Sequence, residues 1–296
     1  MDLPASVTAL GEQLSGASEI VPDPALFSEA GVFAAERERI FTRPWIAADH
    51  ATRLAEDGRY FRFASDSRSI IVTRDRQGHL HALRNVCIHA GYPVCDAEDG
   101  SAERLMCPYH GWEYALDGRL VEPELSSRID PSRLRLTSYP VCVRDGLLFV
   151  APSVGPASDE SIAGPLPAWL ADGTVTRREC HNTTWNWKFL VNFLRSRMPL
   201  LFGDRSDGQD SCLEFGPLSR VLVNSERVVL LRVIPRFAER TDLQLIEIAA
   251  ADAPLETASP AGDDPMAEEL RRAGAPSPSE LDREFFSWYW SLMSPA

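Results

Sequence analysis

The 296-residue sequence contains no run of about 18 uninterrupted apolar residues, so no helical membrane span is expected. Its opening stretch, MDLPASVTALGEQLSGASEI, has neither a basic start nor an apolar core. No secretory signal is expected, and the reading is cytoplasmic. Positive charge is short: 30 Lys and Arg stand against 43 Asp and Glu, for a net charge of −13. That deficit argues against nucleic acid and anionic membranes as partners. It serves either simple solubility or the docking of a redox partner. Internal repeats are absent. Histidine is scarce, with six in the chain: His50, His79, His81, His89, His110 and His181. The cysteines also number six: Cys87, Cys95, Cys107, Cys142, Cys180 and Cys212. An even count suggests disulfides in a small secreted chain, but metal binding in a cytosolic one of this length.

What is present suggests two modest domains, since single cores rarely grow past about 250–300 residues. Residues 1–25 read as a loose leader, and 29–42 as a helix with Phe33, Ile40 and Phe41 on one face, ended by Pro44. Short alternating runs at 60–64, 69–73, 80–85, 104–107, 112–115 and 147–150, broken by glycine turns, predict a small all-β domain. A Pro-, Ser-, Gly- and Ala-rich stretch at 151–168 reads as a linker. Beyond it, a strand is predicted at 175–184, and a helix at 187–198 stopped by Pro199. Strands follow at 220–223, 228–234 and 243–250, then a loop at 251–265. Ser277-Pro278-Ser279-Glu280 fits a capping box, and Leu281, Phe285, Trp288 and Leu292 then share one apolar helical face. The expected organisation is α+β: a leader and helix over 1–44, an all-β domain over 45–155, and an antiparallel-sheet domain with a terminal helix over 156–296.

One motif carries specific chemistry. Cys87-Ile88-His89 is followed, after 17 residues, by Cys107-Pro108-Tyr109-His110. Thiolate and imidazole donors suit zinc or iron–sulfur chemistry. Zinc sites usually pair cysteine with cysteine and place both histidines later. Here each loop supplies one of each, so one iron can take two thiolates and the other two imidazoles, the Rieske [2Fe–2S] arrangement. Neutral imidazoles leave less negative charge on the reduced cluster. Such centres lie at about −150 to +300 mV, against about −400 mV for plant-type ferredoxins. Backbone N–H groups of the two loops are expected to donate to the sulfurs, with Gly91, Gly111 and Trp112 as candidates. The outer nitrogens of His89 and His110 should face the domain surface.

The segments IFTRPWIAADH, IIVTRDRQGHLHALRNVCIHAG, CPYHGWEYALDGRL and YPVCVRDGLLFV resemble the Rieske domain of the Rieske non-haem iron (aromatic-ring-hydroxylating) oxygenase α subunits. The cytochrome bc type of Rieske protein staples its two loops with an extra cysteine pair. Here Tyr109 stands between Cys107 and His110, so Cys95 has no such partner and reads as a small buried residue. The resemblance therefore implies the low-potential, oxygenase type. It continues more weakly through HNTTWNWKFLVNFLRSRMP and SRVLVNSERVVLLRVIPRFAERTDL, implying a degenerate helix-grip (START-like) domain.

In that family the helix after Asn-Trp-Lys carries an acid, then two histidines, and a late helix adds a carboxylate to complete a mononuclear iron site. This sequence puts Arg195, Met198 and Gly203 at the first three positions. The frames shifted by one residue, Arg197/Phe202 and Pro199/Asp204, supply no histidine either. Beyond residue 151 the only histidine is His181, which precedes the helix and reads as structural. Arg195 and Arg197 read either as a solvated helix face or as ion pairs to a partner subunit. His79 and His81 should be exposed in a turn, and the aromatic group around Trp288 and Trp290 should be core or interface. The chain thus reads as a shortened family member with a [2Fe–2S] cluster and no mononuclear iron of its own.

The expected function is that of an electron-transfer and structural subunit in a hetero-oligomeric oxygenase. It would pass electrons to the iron of a catalytic paralogue and receive them from a ferredoxin or flavin reductase. Two other readings are an active hydroxylase or demethylase with an unusual metal site, using His181 with Asp204, Asp207 or Asp210, and a Rieske ferredoxin fused to a binding domain.

Overall fold

The structure is a computed structural model that describes residues 2–42, 45–121, 134–153, 162, 164, 166–201, 211–250 and 265–294, with 197–201 and 265 as backbone only. The chain divides into two compact units, residues 43–174 and residues 1–42 with 175–296.

The 43–174 unit is built from antiparallel strands. They are β1 (Ile46–His50), β2 (Arg59–Ala64), β3 (Ser69–Arg74), β4 (Leu80–Arg84), β5 (Asp99–Ser101), β6 (Arg104–Met106), β7 (Glu113–Ala115), β8 (Leu120–Val121), β9 (Ser138–Tyr139), β10 (Val141–Arg144) and β11 (Leu147–Val150). They form a five-stranded sheet of order β5-β2-β3-β4-β9 and two three-stranded sheets, β1-β11-β10 and β6-β7-β8. Central strand β3 is apolar on both faces. Ile70 and Val72 join Phe61 and Phe63 in one core, while Ile71 joins Leu83, Leu105 and Tyr114 in a second. This second core also holds Cys87 and Cys107 and forms the floor of the candidate site.

The other unit has a five-stranded antiparallel sheet of order β12-β16-β15-β14-β13. Its strands are β12 (Thr174–Thr183), β13 (Ser211–Phe215), β14 (Ser219–Val223), β15 (Arg227–Phe237) and β16 (Arg240–Ala249). Leu231 pairs with Leu245 and Val233 with Leu243, and these four join one core with residues of the helices. The helices are α1 (Ala5–Leu14), α2 (Ala25–Ser28), α3 (Ala30–Glu36, continued by a π turn over Arg37–Phe41), α4 (Trp187–Leu201), α5 (Pro265–Ala273) and α6 (Arg283–Met293).

Three expectations are corrected. The supposed loose leader contains α1, whose Val7 and Leu10 are buried. Gly11 there lies so close to Trp290 of α6 that an added Cβ would clash with the indole. The first 42 residues therefore belong with the C-terminal unit rather than forming a separate leader ahead of it. Second, α4 does not stop at Pro199 but runs on to Leu201. Third, the Ser277–Glu280 capping box closes only a single 3₁₀ turn. Asp282 caps α6 instead, accepting from the Phe285 amide at 2.8 Å, and Phe285, Phe286, Tyr289 and Met293 form its buried face. Most of 151–168 and all but one residue of 251–265 lie outside the described residues.

Candidate metal centre

Two loops rise from the second core of the 43–174 unit, one after β4 and one between β6 and β7. They share one hydrogen-bond pattern. The Cys87 amide donates to Tyr92 O at 2.7 Å and the Gly91 amide to Cys87 O at 2.9 Å; the Cys107 amide donates to Trp112 O at 2.8 Å and the Gly111 amide to Cys107 O at 3.0 Å. Each loop thus closes on its own cysteine. Gly91 and Gly111 adopt φ of 73° and 72°, a left-handed conformation that glycine takes without steric cost. Asn85 pins the base of the first loop. Its Oδ1 accepts from the Val94 and Cys95 amides at 2.8 Å each, and its Nδ2 donates to Cys95 O at 2.7 Å.

The four predicted donors come together as two kinds. Cys87 and Cys107 are buried at 3% and 1% exposure, whereas His89 and His110 are exposed. The two imidazole centroids lie 4.6 Å apart, a separation compatible with both rings serving one metal. Trp112 stacks on His89 at 4.6 Å and 9°. This donor set fits a [2Fe–2S] group with its thiolate end in the core and its imidazole end at the surface.

The expected amide donors are corrected in part. Gly91 and Gly111 direct their N–H groups to the cysteine carbonyls, and Trp112 contributes a carbonyl and a ring. The amides that reach Cys87 sulfur are those of His89 and Ala90. Burial pushes the Cys87 thiol up, but the Tyr114 hydroxyl, those two amides and Cys107 outweigh it and hold it below its ordinary value.

Tyr114 was not foreseen. Its hydroxyl lies 3.1 Å from Cys87 Sγ and accepts from the Ile88 amide at 3.3 Å. With Ile88 donating, the phenolic hydrogen is left for the sulfur. Burial, and then Cys87, push the phenol well above its usual range, so it stays protonated. Alternation along β7 aims Tyr114 inward, but nothing in the ligand spacing shows that its hydroxyl reaches the cysteine.

The remaining candidates are scattered. Cys95 is buried and its Sγ faces Ala97 O at 3.6 Å. His50 is wholly buried between Thr52 Oγ1 and Leu170 O, each at 2.7 Å. His81 is half-buried beside Asp75 rather than exposed, while His79 is exposed. In the other unit, His181 Nε2 lies 3.3 Å from Glu179 Oε2. Arg195 is not a plain solvated helix face, being only 29% exposed. Its guanidinium sits 4.1 Å over the Trp288 ring and 3.7 Å from Glu214, which also holds buried Arg220 at 2.8 Å. Met198 lies on α4 with its side chain undescribed, as does Arg197, and Phe202, Gly203, Asp204, Asp207 and Asp210 lie outside the described residues. Among the described residues no three His, Cys, Asp or Glu side chains group around a single ion, and no helix is long and apolar enough to cross a membrane.

Residues 44–140 match the family model for the Rieske [2Fe–2S] domain. The glycine betaine monooxygenase oxygenase subunit of Chromohalobacter salexigens is 32% identical over 178 residues, 58% of this chain and 40% of the relative. The chloroplastic choline monooxygenase of Beta vulgaris is 34% identical over 148 residues, 47% and 32% of the two chains. The aligned stretch thus spans less than half the length of these relatives. Among solved structures, the quaternary ammonium Rieske monooxygenase CntA with γ-butyrobetaine aligns at a TM-score of 0.67 and 19% identity, over 92% of this chain and 83% of that one. Naphthalene 1,2-dioxygenase from Rhodococcus sp. aligns at 0.67 and 17%, over 97% of each. At these identities the structures speak for the fold, which is the expected α+β arrangement. The chain carries a Rieske [2Fe–2S] domain and is homologous to the α subunits of the Rieske oxygenases.

Proposed function

We propose that Cys87, His89, Cys107 and His110 hold the [2Fe–2S] cluster and that the chain is an electron-transfer and structural subunit of a hetero-oligomeric Rieske oxygenase. When bound, the cluster supplies a one-electron carrier. This chain's residues seat its thiolate end in an apolar core and present its imidazole end to a partner. Ile88, Tyr92 and Tyr109 on the two loops of the exposed histidines, with Met106 at the adjoining end of β6, are all at least 39% exposed and form an apolar collar. Such a surface suits a docked protein more than water. The partners in this reading are a catalytic paralogue with an intact mononuclear iron and a ferredoxin or flavin reductase. The location in this reading is cytoplasmic, where cysteines serve metal binding more often than disulfides.

The observation that carries the non-catalytic part is the replacement at Arg195. A guanidinium stacked on Trp288 and near the buried cation Arg220 opposes a bound metal cation where the family pattern needs a carboxylate. The test is iron content with oligomer composition after co-expression with an intact paralogue. The expected result is about two irons per chain, a Rieske EPR signal, no oxygenation by the chain alone, and a stable mixed assembly. A third iron per chain, or substrate turnover by the purified chain with a reductase, overturns it.

A further inference from the structure

We propose that Tyr92 and Tyr109 are positioning residues that form a non-covalent staple between the two loops and thereby set the spacing of His89 and His110. The rings lie 5.2 Å apart at 34°, within the range where aromatic pairs attract. Tyr92 belongs to the first loop, and its carbonyl is tied to the Cys87 amide, so its backbone cannot drift independently of that cysteine. Tyr109 belongs to the second loop, and its ring packs 3.9 Å from that of His110. The contacts form a continuous line: Tyr92, Tyr109, His110, His89, Trp112.

Two of these contacts cross between loops without involving the pair of histidines alone. Trp112 on His89 is one, and Tyr92 on Tyr109 is the other. They lie at opposite ends of the line, so they brace the imidazole pair from both ends. No disulfide does this work, because Cys87, Cys95 and Cys107, the cysteines in and beside the two loops, form none. The tyrosines do it at the surface, at 44% and 58% exposure, where neither ring is held by the core. A role confined to partner docking would leave the isolated cluster untouched when either ring is removed. A staple would not.

The proposal rests on the ligand assignment above, and the experiment separates the two. The full chain is purified with its cluster as wild type, Tyr92→Ala, Tyr109→Ala, the double alanine variant and the double variant Tyr92→Phe/Tyr109→Phe. Cluster loss to a chelator is followed by visible absorbance, alongside the EPR spectrum and the unfolding temperature. Each single alanine variant is expected to lose cluster about fivefold faster, with shifted EPR g values and an unchanged unfolding temperature. The double alanine variant is expected to be no faster than either single one, and the phenylalanine pair to match wild type. A folded alanine variant that fails to load, beside a phenylalanine pair that loads normally, is the same result in stronger form. Unchanged loss rates in both single variants, or strictly multiplicative effects in the double, overturn the staple. A wild-type chain with no Rieske signal overturns the ligand assignment instead.

Discussion

Glu36 and Lys188 form an ion pair in which both side chains are about 1% exposed. Glu36 also accepts from Trp187 Nε1 and from the Tyr289 hydroxyl, each at 2.8 Å, and Lys188 donates to Leu26 O at 2.7 Å. One carboxylate thereby joins the N-terminal segment to α4 and α6. Burial pushes the Lys188 ammonium down, and Glu36 opposes that. Removing one partner leaves the other buried and unpaired, so Glu36→Ala should cost about 3–5 kcal/mol. Replacing both, as Glu36→Met with Lys188→Leu, should cost clearly less than the single change. Urea unfolding of the wild type and these two variants measures this, and a double variant as unstable as Glu36→Ala would contradict it.

Asp75 gives a pH signature. Its carboxylate accepts from the Gln77 and His79 amides at 2.9 and 2.8 Å and from His81 Nε2 at 2.8 Å. Burial pushes its pKa up, but His81 and the two amides more than offset that and hold it below the ordinary value. A carboxylate with a lower pKa folded than unfolded stabilises the fold above the unfolded value of about 3.9. That stability is lost as pH falls through the folded value. Asp75→Asn should therefore be less stable than wild type at pH 7, and the two should converge below about pH 4. Urea midpoints taken across that range check the sign.

Two glycines with similar backbones should respond differently to alanine. Gly146 has φ of 82°, and a Cβ there would lie 2.6 Å from Leu170 O and 2.7 Å from Ala171 Cα. Both neighbours are backbone and cannot swing away, so Gly146→Ala should cost about 3 kcal/mol. Gly91 has φ of 73° but nothing within 4 Å of the added carbon. Gly91→Ala should cost only the left-handed conformation, about 1 kcal/mol. Thermal unfolding of the two variants ranks them.

The parts of this fold that were readable ahead of the structure are those whose pattern is local. Strands β2, β3 and β4 are short runs rich in strand-forming residues and separated by turn residues. The ligand loops announce themselves by residue type and spacing. The parts that were not readable are defined by partners distant in sequence. Helix α1 is ten residues long, too short to stand alone, and exists because Val7 and Leu10 are buried and Gly11 meets Trp290. Strands β5, β8 and β9 have only two or three residues and no period of their own. In the site, Asn85 and Tyr114 act through hydrogen bonds that no ligand motif encodes. Arg195 was placed in sequence, but its seat over Trp288 depends on α4 and α6 packing together.

Tyr114 offers the most direct test of how the protein sets the cluster's potential, given the proposed ligands. Its hydroxyl takes the Ile88 amide as donor and so has its own hydrogen for Cys87 Sγ at 3.1 Å. A donor on a ligand sulfur draws off charge, and this helps the reduced cluster, which carries the extra electron, more than the oxidised one. Tyr114→Phe keeps the ring in its buried slot and removes only that donor. Its midpoint potential should fall by about 50 mV, the equivalent of about 1 kcal/mol for a one-electron couple. The EPR signal should persist, since all four ligands remain. Redox titration of both proteins decides it. A potential that does not move would mean that the hydrogen points elsewhere and that the amides of His89 and Ala90 carry the tuning alone.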